Sequence, residues 1–169
     1  MPKKIENAKA LLLQEAKKLL EREGYEKLTM RSVARVCGLG VGTAYNYFSS
    51  KDELIASFML EDWQVCLAEM KACNEEGVAR LQFIYVRLQQ FLTVHQSLFS
   101  DSKAKTSYIA ASGDWHKQLR SQLAMAVLPV CKGENAPFLS EFIAESILRW
   151  SVEDTPFAAL APIIEKLLK

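Results

Sequence analysis

The sequence predicts an all-α protein, and three observations carry that expectation. Only seven glycines and five prolines punctuate its 169 residues. No stretch alternates apolar and polar residues between turn signals, as a half-buried strand would. Apolar residues recur instead every three or four positions along most of the chain, the spacing of one helix face. No internal repeat, low-complexity tract or Gly/Ser linker interrupts them.

The first helix is expected from Ile5 to Glu23, with Leu12, Leu13, Ala16, Leu19 and Leu20 in one stripe and Gly24 as its stop. Thr29 is a good cap for a second, Met30 to about Cys37, which offers Val33, Ala34 and Val36 to the interior. Gly38 ends it, Leu39 and Gly40 leave a very short turn, and a third helix runs from about Val41 to Phe48. Ser50 and Glu53 have the spacing of a capping box, so a fourth helix starts at Ser50 and reaches about Ala72. Its apolar residues include Leu54, Phe58, Leu60, Val65 and Leu67. An amphipathic helix follows over Val78–Leu98, with Leu81, Ile84, Leu88, Phe91, Leu92 and His95 along one face. The polar segment 99–113 reads as a short helix with loops. Asp114 caps a helix to about Cys131 whose last turn Pro129 disturbs. Pro137–Val152 is another helix. Thr155 and Pro156 are a cap-plus-first-residue signature for the last one, which Pro162 should kink or restart.

Net charge is +1, so the total charge does not point to a polyanion. Residues 1–60 carry ten Lys and Arg against seven Asp and Glu, for +3, and the remainder carries eleven against thirteen, for −2. No apolar run of about 18 residues could span a bilayer, so no membrane partner is expected. The N-terminus, MPKKIENAKALLLQEAKK, mixes charges with its leucines as a signal peptide does not. Cys37, Cys66, Cys73 and Cys131 form no CxxC pair and lie away from His95 and His116, which argues against a zinc site or a disulfide framework. Cys66 and Cys73, seven apart, could share a helix face, where packing is the ordinary role. A reduced cytoplasmic setting is expected, with no metal and no cofactor. The chain shows no GxSxG, Walker loop or HExxH, so no enzyme is expected. Glu141 and Glu145, four apart in an apolar helix, read as flanks of an interface rather than an acid–base pair.

The motif that carries function lies around Gly38. Two helices joined by about three residues make a helix-turn-helix unit. Its first helix crosses a DNA backbone while its second lies in the major groove. Ala44 and Phe48 can point inward, leaving Val41, Gly42, Thr43, Tyr45 and Asn46 around the outer face. A solvated helix would show Lys and Glu there. Small, neutral and hydrogen-bonding side chains suit a surface meant to be covered. Lys51 is a cation at a helix N-terminus, which the helix dipole disfavours by roughly 0.3–1 kcal/mol. A DNA phosphate at that N-terminus would reverse the sign.

The ordered set Gly24-Tyr25, Thr29, Val33-Ala34, Gly38, Gly42-Thr43, Tyr45, Phe48, Lys51 and Leu54, within AKKLLEREGYEKLTMRSVARVCGLGVGTAYNYFSSKDEL, resembles the TetR/AcrR family of bacterial regulators over about residues 8–60. The resemblance implies an N-terminal three-helix DNA-binding domain over residues 1–50 and a connecting helix over 51–73. It implies a C-terminal helical bundle for ligand sensing and dimerisation over 74–169. By position, Thr29, Tyr45 and Lys51 would hold phosphates, and Arg31, Val41, Thr43 and Asn46 would reach bases. Arg31 has a fork suited to guanine, Asn46 an amide suited to adenine, and Val41 and Thr43 methyls suited to thymine. Gly40 departs from the pattern, since many relatives have a Ser-type cap there. The recognition helix lacks any charged side chain, so specificity leans on DNA shape and apolar contact.

Half-site geometry implies a homodimer on double-stranded DNA with a palindromic operator. The family's dimer face would be FLSEFIAESILRW (138–150) and PFAALAPIIEKLL (156–168), where Phe142, Ile143, Ile147, Trp150, Phe157, Leu160, Ile164 and Leu167 exceed one core stripe. A small-molecule pocket could use Trp63, Tyr85, Phe91, His95, Phe99, Tyr108, Trp115 or Met125, residues equally at home in a helical core. The expected function is a sequence-specific transcriptional regulator, a dimeric repressor released from its operator by a small-molecule effector. The alternative is a DNA-binding protein with no such effector, acting through a protein partner or as a structural DNA binder.

Overall fold

The structure, a computed structural model, describes residues 7–96, 98 and 115–168, with the backbone alone at 115 and 116. Segment 99–113, the Asp114 cap, Tyr108 and the side chain of Trp115 lie outside the described residues. Among the described residues there are eight α-helices, one 3-10 turn and no strand. They fall into two compact units. One holds the chain up to Glu61 and takes it up again at His95, and the other holds Asp62–Val94 and the chain from Trp115 onward.

The first unit contains α1 (Ala8–Glu23), α2 (Met30–Val36), α3 (Val41–Tyr47) and the first half of α4 (Lys51–Ala72). Its core is the α1 stripe Leu12, Leu13, Ala16, Leu19 and Leu20, closed by Val33, Ala34, Ala44, Phe48, Leu54, Ile55 and Phe58. Gly24 ends α1 at φ 81°, in the left-handed region that glycine tolerates. His95 is buried here, its ring stacked against Phe58 with centroids 6.1 Å apart.

One apolar assignment differs from expectation. Val36 is 47% exposed rather than interior. Val33 and Ala34 centre the buried face of α2, and Val36 lies about 250° further round at 100° per residue. On α4 the buried residues are Leu54, Ile55, Phe58, Met59, Trp63, Cys66, Leu67 and Met70, pairs that recur every four positions. Leu60 and Val65 are out of phase with those pairs and are exposed.

The second unit contains the rest of α4, α5 (Gly77–Val94), α6 (Trp115–Val127) with a 3-10 turn at Leu128–Val130, α7 (Ala136–Val152) and α8 (Phe157–Leu167). Pro129 sits in the 3-10 turn, where it has no N–H to continue the hydrogen-bond ladder of α6. α7 packs chiefly on α6 and also on α5, and α8 packs on α5. Leu81, Ile84, Leu88, Leu123, Val127, Ile143, Ile147, Leu160 and Ile164 fill the space between them. α8 begins one residue later than expected, with Pro156 as its N-cap rather than its first residue. Pro162 neither breaks nor restarts it. The bond that its absent N–H would have made falls to the carbonyl of Ala158, an exposed residue where water can substitute.

Cys66 is buried, and its thiol faces the Arg87 carbonyl at 3.6 Å. Burial pushes its pKa up to about 11, the opposite of a reactive thiolate. Arg80 is the one buried cation among the described residues, in line with Ile84 and Leu88 on the inner face of α5. Its guanidinium donates to the carbonyls of Met70 (3.2 Å) and Cys73 (2.7 Å) at the end of α4, and of Ala126 (3.3 Å) near the end of α6. A planar fork reaches three acceptors at once, and a positive charge suits the helix C-termini. Arg80→Met should lower stability by about 3 kcal/mol, because it strands buried carbonyls. Urea unfolding monitored by circular dichroism would measure the loss, and Arg80→Lys should recover only part of it.

Candidate nucleic-acid interface

The interface is built by the two short helices and the starts of their neighbours. Thr29 caps α2 in a reciprocal box. Its hydroxyl accepts from Ser32 N–H at 3.0 Å, and the Ser32 hydroxyl accepts from Thr29 N–H at 2.9 Å. The turn to α3 is made by Gly38, whose φ of 66° takes the chain through the left-handed region, and by a bond from Leu39 N–H to the Ala34 carbonyl at 2.8 Å. Gly40 then enters α3 with an extended backbone and no side-chain cap, as its departure from the family pattern implies.

Ala44 is fully buried and Phe48 nearly so, which fixes the roll of α3 about its axis. The outer face follows from that roll. Tyr45, Asn46 and Gly42 are exposed, while Val41 and Thr43 are half-buried along the flank. Arg31 is exposed on α2. Two further residues belong to this surface. Tyr47 is 37% exposed beside Asn46, and Arg35 is exposed one turn on from Arg31. The four-residue spacing of the two arginines was the available signal for Arg35.

The start of α4 holds the least expected geometry. Ser50 caps the helix as expected, its hydroxyl accepting from Glu53 N–H at 3.1 Å. The Glu53 carboxylate, however, reaches past Ser50 to the N–H of Ser49 at 2.6 Å and to its hydroxyl. Those bonds, that of the Ser49 hydroxyl first, hold the Glu53 carboxyl below the usual carboxylate range. Lys51 turns its ammonium onto Tyr25. Nζ donates to the Tyr25 carbonyl at 3.0 Å and lies 3.6 Å from the ring centroid. The Tyr25 hydroxyl donates to Asp52 at 2.7 Å.

Trp63, Tyr85 and Phe91 are buried in the second unit, while His95 belongs to the first. Trp63 meets Phe91 edge-on at 5.4 Å and donates to Gln122 at 2.7 Å. The Tyr85 hydroxyl donates to the Thr155 carbonyl and accepts from Gln89. Met125 is 59% exposed. The dimer candidates divide by helix phase. Ile143, Ile147, Leu160, Ile164 and Phe157 are buried within their own unit, and Trp150 is half-buried. Phe142 and Leu167 remain exposed, joined by Phe138, Val152 and Ile163.

This helix pair, its glycine turn and its uncharged outer face correspond to known regulators. Residues 12–58 match the family model for bacterial regulatory proteins of the tetR family. The N-terminal domain is of the TetR family. The HTH-type transcriptional regulator UidR of Escherichia coli (strain K12) is 23% identical over 112 residues, covering 66% of this chain and 55% of UidR. The HTH-type transcriptional regulator SAR2658 of Staphylococcus aureus is 28% identical over 86 residues, covering 49% of this chain and 46% of that protein. The match thus spans about half the length of these curated relatives. Among solved structures, multidrug binding protein EbrR aligns with a TM-score of 0.62 at 13% identity, over 95% of this chain and 94% of its own. A TetR/AcrR regulator from Thermobifida fusca aligns at 0.59 and 10% identity, over 95% of both chains. These structural likenesses extend the TetR-type fold across both units.

The entry to α3 has no side-chain cap. Gly40 has φ −65° and ψ 143°, a conformation open to any residue, and an added Cβ would meet the Thr43 hydroxyl at an ordinary 3.7 Å. Gly40→Ser should therefore raise stability by about 0.5 kcal/mol through a new cap and a less flexible unfolded chain. A higher urea midpoint with unchanged slope would show it.

Proposed function

We propose that the protein is a sequence-specific DNA-binding transcriptional regulator that acts as a homodimer on an inverted-repeat operator. The observation that carries this reading is the outer face of α3, where Tyr45 and Asn46 are exposed without a single charged neighbour on the helix. A covered surface explains that composition, and the major groove is what a second helix of this unit covers. In this reading Asn46 reads a base edge, and Arg31, Val41 and Thr43 join it from the flanks. The hydroxyls of Thr29 and Tyr45 hold phosphates and set register.

Dimerisation is supported by the exposed phenylalanines of α7, 71% exposed at Phe138 and 51% at Phe142. Two-fold symmetry would set the recognition helices about 34 Å apart, one turn of duplex. Repression relieved by a small molecule is the regulatory mode proposed, in a cytoplasmic protein without catalytic activity. Among proteins of similar fold, EbrR is described with imidazole and FadR of Bacillus subtilis with stearoyl-CoA. One observation favours the alternative without an effector. The polar ends of Trp63 and Tyr85 are hydrogen-bonded within the protein, so they offer a ligand little.

Selection from a pool of genomic fragments at near-physiological salt tests the central reading. One recovered inverted repeat supports it, and broad binding that collapses with salt would replace it with a structural DNA role. On the recovered site, Asn46→Ala should relax preference at one base pair by about 1–3 kcal/mol. Thr29→Ala should weaken all sites alike, as titrations against single-base variants would reveal. Phe138→Glu with Phe142→Glu should convert the dimer to monomer, read by sedimentation, and abolish tight operator binding.

A further inference from the structure

We propose that Tyr85 and Gln89 of α5 position the dimer surface. They hold the turn between α7 and α8, so that the outer residues of both helices meet a second copy in one fixed arrangement. Tyr85 is buried within its own unit and acts on that surface without touching the partner. The inference rests on the homodimer reading above and adds positioning residues to it.

The turn runs from Glu153 to Pro156. Its own bonds finish α7. Glu153 N–H donates to the Arg149 carbonyl at 3.0 Å, and Thr155 N–H to the Trp150 carbonyl at 2.9 Å. Asp154, between them, takes φ 53° in the left-handed region, the usual way to end a helix. These bonds stop α7 and do not decide where α8 goes.

That direction comes from α5. Tyr85 and Gln89 are four apart in sequence and so lie one above the other on that helix. The Tyr85 hydroxyl donates to the Thr155 carbonyl. The Gln89 amide donates to the same hydroxyl at 2.9 Å and to the Asp154 carboxylate at 3.1 Å. The Tyr85 ring lies against Phe157, the first residue of α8, with centroids 5.4 Å apart. Asp154, Thr155 and Phe157 are thus each held by α5. Burial, and after it the Asp154 carboxylate, push the Tyr85 pKa up, so the hydroxyl stays protonated and donates. Hydrogen bonds are directional where apolar packing is not, so a satisfied network of this kind selects one arrangement.

The clamp bears on assembly through what flanks it. Phe138, Phe142 and Val152 are exposed on α7, and Ile163 and Leu167 on α8. A partner that covers residues of both helices gains most when the angle between them is set beforehand. α5 packs on both helices, and the clamp fixes the turn between them on it.

Sedimentation equilibrium measures the dimer dissociation constant, at a temperature where circular dichroism shows each variant fully folded. Tyr85→Phe keeps the ring on Phe157 and removes the hydroxyl. Gln89→Leu removes both amide bonds. Each should weaken the dimer by about three- to tenfold. Gln122→Leu is the control, because it removes the acceptor of the Trp63 N–H, a bond between α4 and α6. It should lower the urea midpoint and leave the dimer constant unchanged. An unchanged constant in folded Tyr85→Phe and Gln89→Leu, with wild type dimeric, overturns the inference and leaves the dimer reading standing. A Gln122→Leu dimer weakened as much also overturns it, since any loss of stability would then act alike. Should Tyr85→Phe fail to fold, Gln89→Leu, changed at a half-buried side chain, decides alone. A wild-type protein that sediments as a monomer overturns the dimer reading and this inference together, an outcome seen before any variant is made.

Discussion

A helix of seven residues makes too few internal hydrogen bonds to persist alone in water, so α3 exists only as far as its surroundings hold it. Two buried side chains, Ala44 and Phe48, supply the inward grip. The left-handed turn at Gly38 and the Leu39–Ala34 backbone bond supply the angle to α2. Gly42, Tyr45 and Asn46 on the outer face take no part in this, whereas Val41 and Thr43 are half-buried on its flank. The three exposed positions are thus free to be chosen for what they touch rather than for what they stabilise. That separation lets a recognition surface vary while its scaffold stays the same.

The distribution of charge follows the same division. α3 is neutral, while exposed cations stand beside it on α2 at Arg31 and Arg35. Long-range attraction to a polyanion needs only net positive charge near the surface, and it carries no sequence information. Base discrimination needs fixed donors, acceptors and methyls at short range. In the proposed reading Arg31 serves both needs, its charge attracting the polyanion and its fork pairing with a base edge. Lys51 is the exception, because its charge is turned inward onto Tyr25.

The helices were legible in the sequence because their boundaries are local signals. Gly24, Thr29, Gly38 and Ser50 each act through bonds within a few residues, and each behaves as its chemistry requires. Side-chain roles were legible only where helix phase was counted. Counting apolar residues put Val36 inside, and phase puts it outside. The same shortcut drew Ile143, Ile147, Leu160 and Ile164 into a dimer face, although they fill their own core. Arg80 and Lys51 were illegible for a different reason. Arg80 binds carbonyls 7, 10 and 46 residues away, and Lys51 binds one 26 residues away, so no local pattern records either bond. The Arg80 position still left a trace, a cation in line with the apolar residues of α5.

α7 brings these lessons to bear on assembly. One side of it buries Ser140, Ile143, Ala144, Ile147 and Ser151, and that stripe fixes its roll within the second unit. The other side presents Phe138, Phe142 and Val152, more apolar surface than a helix needs to leave in water. Four charged residues around that side are paired, Glu145 with Arg120 at 3.2 Å and Arg149 with Glu153 at 3.0 Å. Exposed pairs of this kind add little to the stability of a single chain. Their value lies elsewhere. A charge that keeps its partner is cheaper to desolvate than a lone one, so covering this face would not strand those four. Because the inner stripe sets the roll of the outer phenylalanines, any change in the packing around Ile143 and Ile147 must reach the face that a second copy would cover.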